Sequence, residues 1–505
     1  MKSRNNLNVF GIKDSDCRRE HPEVEKTPSN RSKLQRDRDR IITSQAYRRL
    51  AGKTQVFMAD IHDHVRNRLT HSLEVYLISN TIAKRLNLNL ELTEAIANGH
   101  DVGHTPYGHS GERALNVIMN DCVKFKEACR IKKEDRGFKH NRQSYRVLSY
   151  IEDKSNDYPG LNLSSHTLWG IVNHTSNTWG RCKIPCNSYY NDPIVCPREL
   201  STAFYDKMEN KFLSQSDWSF EAFVVQAADD IAQRTHDISD SFELNLMRFK
   251  LIIEMFENNF QDLLSTKDRD FLSRFSTGQT SIYDVKEFTR FLTGFYITRL
   301  VEDASKVFKY LNSDMNISSH REFNECKKSI TLPVLSNKLA KQGLGNLNEE
   351  SANTGRNPSD ECNLLFWGDL KKADSSFQKG LRPMIINSSI VQDSDGRASY
   401  IISSLFKKYV SNPLLLPDRT ILSFLKNVDI EGYNRLKASI NIHDTSHELA
   451  KLTRDRLLSD LFVGWEVNED VYNVVMRLIC DYISGMTDHY ADKKFKLLHG
   501  ISPYS

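Results

Sequence analysis

Hydrophobic and polar positions follow a helical rhythm along most of the chain. In RLTHSLEVYLISNTIAKRL (68–86), Leu69, Leu73 and Leu77 recur with Val75, Ile78 and Ile82 near the 3.6-residue period. That pattern predicts an amphipathic helix with the stripe of Val75, Ile78 and Ile82 inward. ELTEAIANGHD (91–101) predicts a second helix that buries Leu92, Ala95 and Ile96 and ends near Gly99–Asp101. A third begins near Ser110–Glu112 and runs through RALNVIMNDCV, and SFEAFVVQAADDIAQRTHDISD (219–240) predicts a fourth, apolar on one side and acidic at its far end. Amphipathic helices continue from 250 to 312 and resume in RASYIISSLFKKYV (397–410). Alternating β-branched runs are scarce and no internal repeat emerges. The expected fold class is all-α, mainly helical throughout.

Composition divides the chain. Residues 1–35 are polar and basic and read as an irregular, loosely ordered segment; 36–250 read as the core and 251–334 as a helical extension. The stretch 335–362, rich in Asn, Gly and Ser, reads as a loop or insertion. Residues 363–505 read as a helical segment expected to close over the first part. The alternating RDRDR (36–40) reads as a solvated helix start, with a subunit contact as the other reading. A chain of 505 residues with 39% apolar side chains can bury a large core, and a net charge of +4 accommodates anionic ligands without demanding nucleic acid. No apolar run approaches the roughly 20 residues of a membrane-spanning helix. MKSRNNLNVFGIKDSD (1–16) lacks the apolar segment of a secretory signal. Nine cysteines, an odd number, make no dense disulfide framework. A reducing, cytoplasmic protein without membrane association is expected.

Chemistry-bearing residues crowd into NGHDVGHTPYGHSGE (98–112). Two nucleotide signatures fail first. AGKTQ (51–55) contains GKT, but a P-loop needs glycine where Tyr47 stands, and no G-x-G-x-x-G follows a strand pattern. His71 lies on the inward stripe of its helix, where a lone imidazole is as a rule a satisfied core residue. His100 and Asp101 are adjacent at the end of the next helix. Asp229, with Asp230 beside it, follows the apolar FVVQAA, where a buried carboxylate needs a cation or several donors. Two imidazoles and two carboxylates suit a divalent metal with open positions, such as Mn, Mg, Fe, Co or Zn. His104 and His109 fit either a polar turn or catalysis. Cys182, Cys186 and Cys196, with His174 upstream, lack the paired C-x2-C knuckle of structural zinc sites and read as ordinary thiols.

The order His71, His100–Asp101, Asp229 resembles the ligand pattern of the HD-domain metal-dependent phosphohydrolases. Six stretches narrow the resemblance: DRDRIITSQAYRRLAGKTQVF (37–57), RNRLTHSLEV (66–75), HDVGHTPYGHSGE (100–112), HNRQSYRVL (140–148), AADDIAQRTHDISD (227–240) and CDYISGMTDHYA (480–491). In this order they are similar to the deoxyguanosine triphosphate triphosphohydrolase (dGTPase) family. The resemblance implies that His71, His100, Asp101 and Asp229 hold the metal, Mg²⁺ or Mn²⁺ first among the candidates. It gives His109 and Glu112 the catalytic positions, and places His104 and His140 near the triphosphate and Arg68 as a phosphate clamp. Gln55 matches the residue at the deoxyribose 3′-hydroxyl, and Asp237 the phosphate–sugar region. Gln233 stands where many relatives carry a tyrosine facing the substrate. The implied reaction converts dGTP, or other dNTPs, to deoxynucleoside and tripolyphosphate. The implied assembly is a homo-oligomer, hexamer or tetramer, with single-stranded nucleic acid or a second nucleotide as effector. Tyr482 and Tyr490 belong either to the core or to a helix that approaches the pocket. The alternatives are an HD phosphohydrolase acting on a nucleoside monophosphate or signalling nucleotide, and a nucleotide-sensing or single-stranded-DNA-binding module. The presence of all four ligands with His109 and Glu112 favours an enzyme.

Overall fold

The computed structural model describes residues 7–23, 30–58, 63–122, 130–152, 154, 158–175, 203–204, 207, 217–275, 281–323, 365, 368–422 and 469–501. Among them there is no strand, only isolated bridges at Arg19–Ser164 and Thr54–Asn67, so the all-α expectation holds. The helices in chain order are α1 (Lys33–Ile42), α2 (Gln45–Arg49), α3 (Arg68–Arg85), α4 (Leu90–Gly99), α5 (Gly108–Met119), α6 (His140–Arg146), α7 (Ser165–Asn173) and α8 (Phe220–Glu243). They continue as α9 (Phe249–Phe260), α10 (Thr266–Ser273), α11 (Ile282–Ser313), α12 (Gly368–Ile386), α13 (Ser389–Ser411), α14 (Glu469–Ser484) and α15 (Asp488–Leu498). Their starts are written in short polar side chains. Asn67, Asn89 and Ser219 each accept from a backbone N–H in the first turn of α3, α4 and α8, which satisfies a donor the helix itself leaves unpaired.

The described residues fall into two compact units, one drawn from 1–103, 144–177 and 212–394, the other from 104–143, 178–211 and 395–505. In the first, α3, α4, α7 and α8 pack on one another, α1 lies on α4, and α11 lies on α3 and α8. The α4–α7 crossing is close enough to exclude side chains at two points. A Cβ on Gly170 would lie 2.3 Å from Ile96 Cδ1, and one on Gly99 would lie 2.5 Å from Ile171 Cδ1. This contact fixes the end of α4, from which His100 and Asp101 project. In the second unit α5 packs on α14.

The buried face of α3 is His71, Val75, Ile78 and Ile82, the stripe expected to point inward, whereas Leu73 and Leu77 are 44% and 61% exposed. At about 100° per residue the chain carries two apolar rows, and the row that includes His71 and Val75 faces α4 and α8. The N-terminal segment is not loose throughout: Phe10, Ile12 and Cys17 are buried, with Phe10 against the rings of Phe220 and Phe308. Nor is RDRDR a solvated face. Arg36 and Arg40 pair with Glu23, and Arg38 with Glu94 at 2.6 Å. Asp37 is fully buried, ion-paired with Arg19 at 2.7 Å and accepting from the Ser164 N–H and the Thr167 hydroxyl. A smaller difference is that the third helix starts at Gly108, two residues ahead of its expected origin. The stretch 335–362 and Cys182, Cys186 and Cys196 lie outside the described residues.

Candidate active site

The first unit brings together His71 from α3, His100 and Asp101 from the turn after α4, and Asp229 from α8. His71 Nε2 lies 3.0 Å from Asp229 Oδ1 and 3.8 Å from Asp101 Oδ2. His100 Nε2 lies 3.5 Å from Asp101 Oδ1 and 3.9 Å from Asp229 Oδ1. The 100–103 turn is held by Ser144, whose hydroxyl donates to the His100 carbonyl at 2.7 Å and accepts the Gly103 N–H at 2.9 Å. Both imidazoles and Asp101 are buried; Asp229 is more open than expected, its side chain 26% exposed. The desolvation argument for a cation therefore falls most heavily on Asp101.

The donor set fits a divalent metal. His100 Nδ1 donates to the Ala97 carbonyl at 2.7 Å, so Nε2 carries the lone pair, and that buried atom has no hydrogen-bond partner. Ligand atoms of His71, His100 and Asp101 lie within 4.8 Å of one another. Arg68 is buried beside them and donates to Asp101 Oδ2 at 2.7 Å, while its Nε and Nη2 have no partner. Two buried imidazoles, two carboxylates and an unpartnered nitrogen form a set that a cation would complete.

Sequence reasoning missed the residues around these ligands. His236, on α8, lies seven residues after Asp229 and so on the same stripe, a spacing that could have marked it. Its Nδ1 is 3.2 Å from His71 Nδ1, and its Nε2 is 2.5 Å from Glu74 Oε2. Burial pushes the His236 imidazole down to about 4 against the pull of Glu74, so it is neutral near pH 7. Glu74 goes down to about 2: burial opposes this, but the His236 and Arg66 contacts prevail. His174 is a further neighbour, its ring edge-on to His100 at 5.0 Å and its Nδ1 donating to Ile171 O.

Of the remaining residues in this unit, Gln55 is buried with its Oε1 unpartnered. Gln233 is half-buried beside Arg234. Asp237 is buried, and desolvation lifts its carboxyl to about 7 despite the cations of Arg234 and Arg382. Arg234 is locked by a two-pronged contact with Asp374, at 3.1 and 3.0 Å, and Asp374 also accepts from the Tyr296 hydroxyl. That buried network fixes the rotation of α8 and with it the direction of Asp229 and Asp237.

The second unit gathers His104, His109, Glu112 and His140. Glu112 is fully buried; its Oε2 accepts from His109 Nδ1 at 3.0 Å, and its Oε1 accepts both the backbone N–H and Nδ1 of His140 at 2.9 Å. Burial alone would raise the Glu112 carboxyl, but His140, His109 and Lys139 hold it well below the usual carboxylate range. His104 stacks on His140 with ring centroids 3.8 Å apart. His109 is the exposed member, with 47% of its side chain open. The start of α5 is shaped for this grouping. Tyr107 and Gly108 both have positive φ, and Asp488 accepts the Tyr107 N–H. A Cβ on Gly111 would lie 2.1 Å from Pro106 O. The Tyr482 hydroxyl lies 3.3 Å from that of Tyr490; Tyr482 is half-buried with its ring edge-on to the buried Tyr409, and Tyr490 is exposed.

A helical domain with an inward His, His–Asp, Asp set defines a class, and the comparisons agree: residues 68–233 match the HD domain and residues 434–496 the phosphohydrolase-associated domain. These two matches cover part of the chain. The chain is also similar to deoxyguanosinetriphosphate triphosphohydrolase-like proteins. Identity is 40% over 225 residues with that of Rickettsia canadensis, covering 45% of this chain and 52% of the relative. It is 40% over 241 residues with that of Rickettsia prowazekii (48% and 55%) and 42% over 234 residues with that of Brucella suis (46% and 52%). The chain spans about half the length of these curated relatives. Among the described residues no helix is long and apolar enough to cross a membrane.

Proposed function

We propose that the protein is a divalent-metal-dependent dNTP triphosphohydrolase, with dGTP the favoured substrate, that releases deoxynucleoside and tripolyphosphate. The observation that carries this reading is the convergence of His71, His100, Asp101 and Asp229, with His100 Nε2 buried and unpartnered, in an HD domain similar to dGTP triphosphohydrolase-like proteins. In this reading the protein is a cytoplasmic homo-oligomer acting on free nucleotides.

A cation such as Mg²⁺ or Mn²⁺ held by these four side chains supplies Lewis-acid polarisation of a phosphoryl oxygen. The chain's own groups do the rest. Arg68, with two guanidinium nitrogens unpartnered, has donors in the fork geometry that phosphate oxygens accept. His109 has its Nδ1 engaged by Glu112, so Nε2 is the atom that takes a proton from the attacking water and returns one to the leaving 5′-oxygen. The Glu112 carboxylate orients His109 and stabilises its protonated form. His140, anchored on the other oxygen of Glu112 and stacked on His104, places ring nitrogens for phosphate contact. The unpartnered Gln55 Oε1 is an acceptor for a sugar hydroxyl, and Asp237 and the Gln233 amide line the same sugar–phosphate region.

Incubation with each dNTP and with GTP, singly and mixed, in Mn²⁺ or Mg²⁺, tests the reading by product identification. Deoxyguanosine and intact tripolyphosphate are expected from dGTP. Orthophosphate or pyrophosphate as the released product would point to another HD phosphohydrolase reaction, and no turnover of any nucleotide would overturn the proposal.

A further inference from the structure

The two candidate ligand histidines have their tautomers set by different devices. A neutral imidazole has one N–H and one lone-pair nitrogen, and only the lone pair can bind a metal. His100 is set by the backbone, because its Nδ1 donates to the Ala97 carbonyl. His71 has no such carbonyl; its Nδ1 faces another ring nitrogen, His236 Nδ1, at 3.2 Å with the rings nearly perpendicular. One of those two nitrogens must carry a hydrogen and the other must not.

The far side of His236 decides which. Its Nε2 lies 2.5 Å from Glu74 Oε2, and a carboxylate oxygen only accepts, so the hydrogen of His236 sits on Nε2. His236 Nδ1 is then the acceptor and His71 Nδ1 the donor, which leaves His71 Nε2 with the lone pair that a cation shared with Asp229 Oδ1, 3.0 Å away, would take. Arg66 donates to the other oxygen of Glu74 at 2.9 Å and holds the outer end of the chain of bonds. We infer that Glu74 and His236 form a relay that fixes His71 in its metal-binding tautomer, with His236 as a positioning residue that does not itself touch the metal. The inference rests on the metal-site reading above, but not on the identity of the substrate.

Metal affinity of the full-length protein tests it without any nucleotide. His236→Phe keeps a ring of similar size and removes the acceptor. His236→Asn places a carbonyl oxygen near the lost Nδ1. Mn²⁺ titration calorimetry is expected to show binding roughly 10- to 100-fold weaker in His236→Phe, the range for loss of a group that orients a metal ligand, with affinity largely restored in His236→Asn. Glu74→Ala, at a side chain 37% exposed, is expected to weaken Mn²⁺ binding in the same direction and supplies the measurement should His236→Phe fail to fold. Co²⁺ bound to wild type and to His236→Phe should also differ in its visible absorption bands. Equal Mn²⁺ affinity in wild type and His236→Phe, or in wild type and Glu74→Ala, would overturn the relay. So would a His236→Asn protein as weak as His236→Phe, since the effect would then be packing. A wild-type protein that binds no Mn²⁺ removes the metal site and the relay together. One that binds Mn²⁺ but hydrolyses no nucleotide removes only the proposed function.

Discussion

At the scale of single residues, the arrangement depends on charged groups that burial would penalise if any partner were lost. Arg234 is the clearest case outside the ligand set. Its side chain is 8% exposed, and its main partner, Asp374, is 1% exposed. Taking both ions out of water costs several kcal/mol, which the two contacts and the Tyr296 hydroxyl offset. Removing the carboxylate alone strands the guanidinium; among the described residues, Asp230, half-exposed and 3.2 Å away, is the ion pair that remains. Asp374→Ala is therefore expected to lower stability by about 3 kcal/mol, read as a fall in the urea unfolding midpoint with the slope unchanged. A midpoint within experimental error of wild type would show that Asp230 suffices. Because Arg234 lies between Asp229 and Asp237 on α8, the same variant is expected to loosen the direction of both carboxylates.

At the scale of elements, Glu221 in the first turn of α8 ties three segments together. Its Oε1 accepts the N–H of Ile12 at 3.0 Å and of Asn89 at 2.9 Å, and the Asn89 amide returns a bond to the Ile12 carbonyl. The N-terminal stretch is ordered here because its backbone groups find partners and Phe10 finds an aromatic pocket. Burial pushes the Glu221 carboxyl up to about 7 despite those bonds. A folded-state value above the unfolded one means that its contribution is full below about 4.5 and is lost as pH rises through about 7. Glu221→Gln keeps a carbonyl acceptor and does not titrate. It is expected to match wild type near about pH 5 and to exceed it by up to about 3 kcal/mol near about pH 8 in denaturant titrations. Parallel stability curves at the two pH values would refute this.

Such ties explain what could be read in the chain beforehand. The helices of the first unit were legible because their period and caps are local: Asn67, Asn89 and Ser219 mark starts that the structure keeps. The types and order of His71, His100, Asp101 and Asp229 suggested a ligand set, and the structure brings the four side chains together. Pairings between distant segments were not legible. RDRDR looks solvated until Glu23 and Glu94 are placed beside it. The His71–His236 bond joins residues 165 positions apart and depends on which nitrogen carries the hydrogen, a fact that no spacing encodes.

At the scale of the whole molecule, the two chemical groupings belong to different units, although Asp101 and His104 are three residues apart in the chain. The metal-ligand set draws its supports from the first unit: Ser144 under the His100 turn, Arg68 on Asp101, and His236 behind His71. The acid–base set draws its own from the second: Glu112 buried between His109 and His140, and Asp488 capping Tyr107. These named supports differ for the two sets, so loss of proton transfer and loss of metal should be separable by mutation. His109→Ala spares the four proposed metal ligands and removes the exposed imidazole proposed to handle the proton. Glu112→Ala removes the group that orients that imidazole. Both are expected to bind Mn²⁺ with wild-type affinity while turnover falls roughly 10²–10⁴-fold, the usual range for acid–base groups. His100→Ala, by contrast, is expected to lose Mn²⁺ affinity and turnover together. Calorimetry and single-turnover assays on the same three proteins distinguish the cases. Near-normal turnover in both His109→Ala and Glu112→Ala would remove them from the mechanism, and weakened Mn²⁺ binding in either would refute the proposed division of roles.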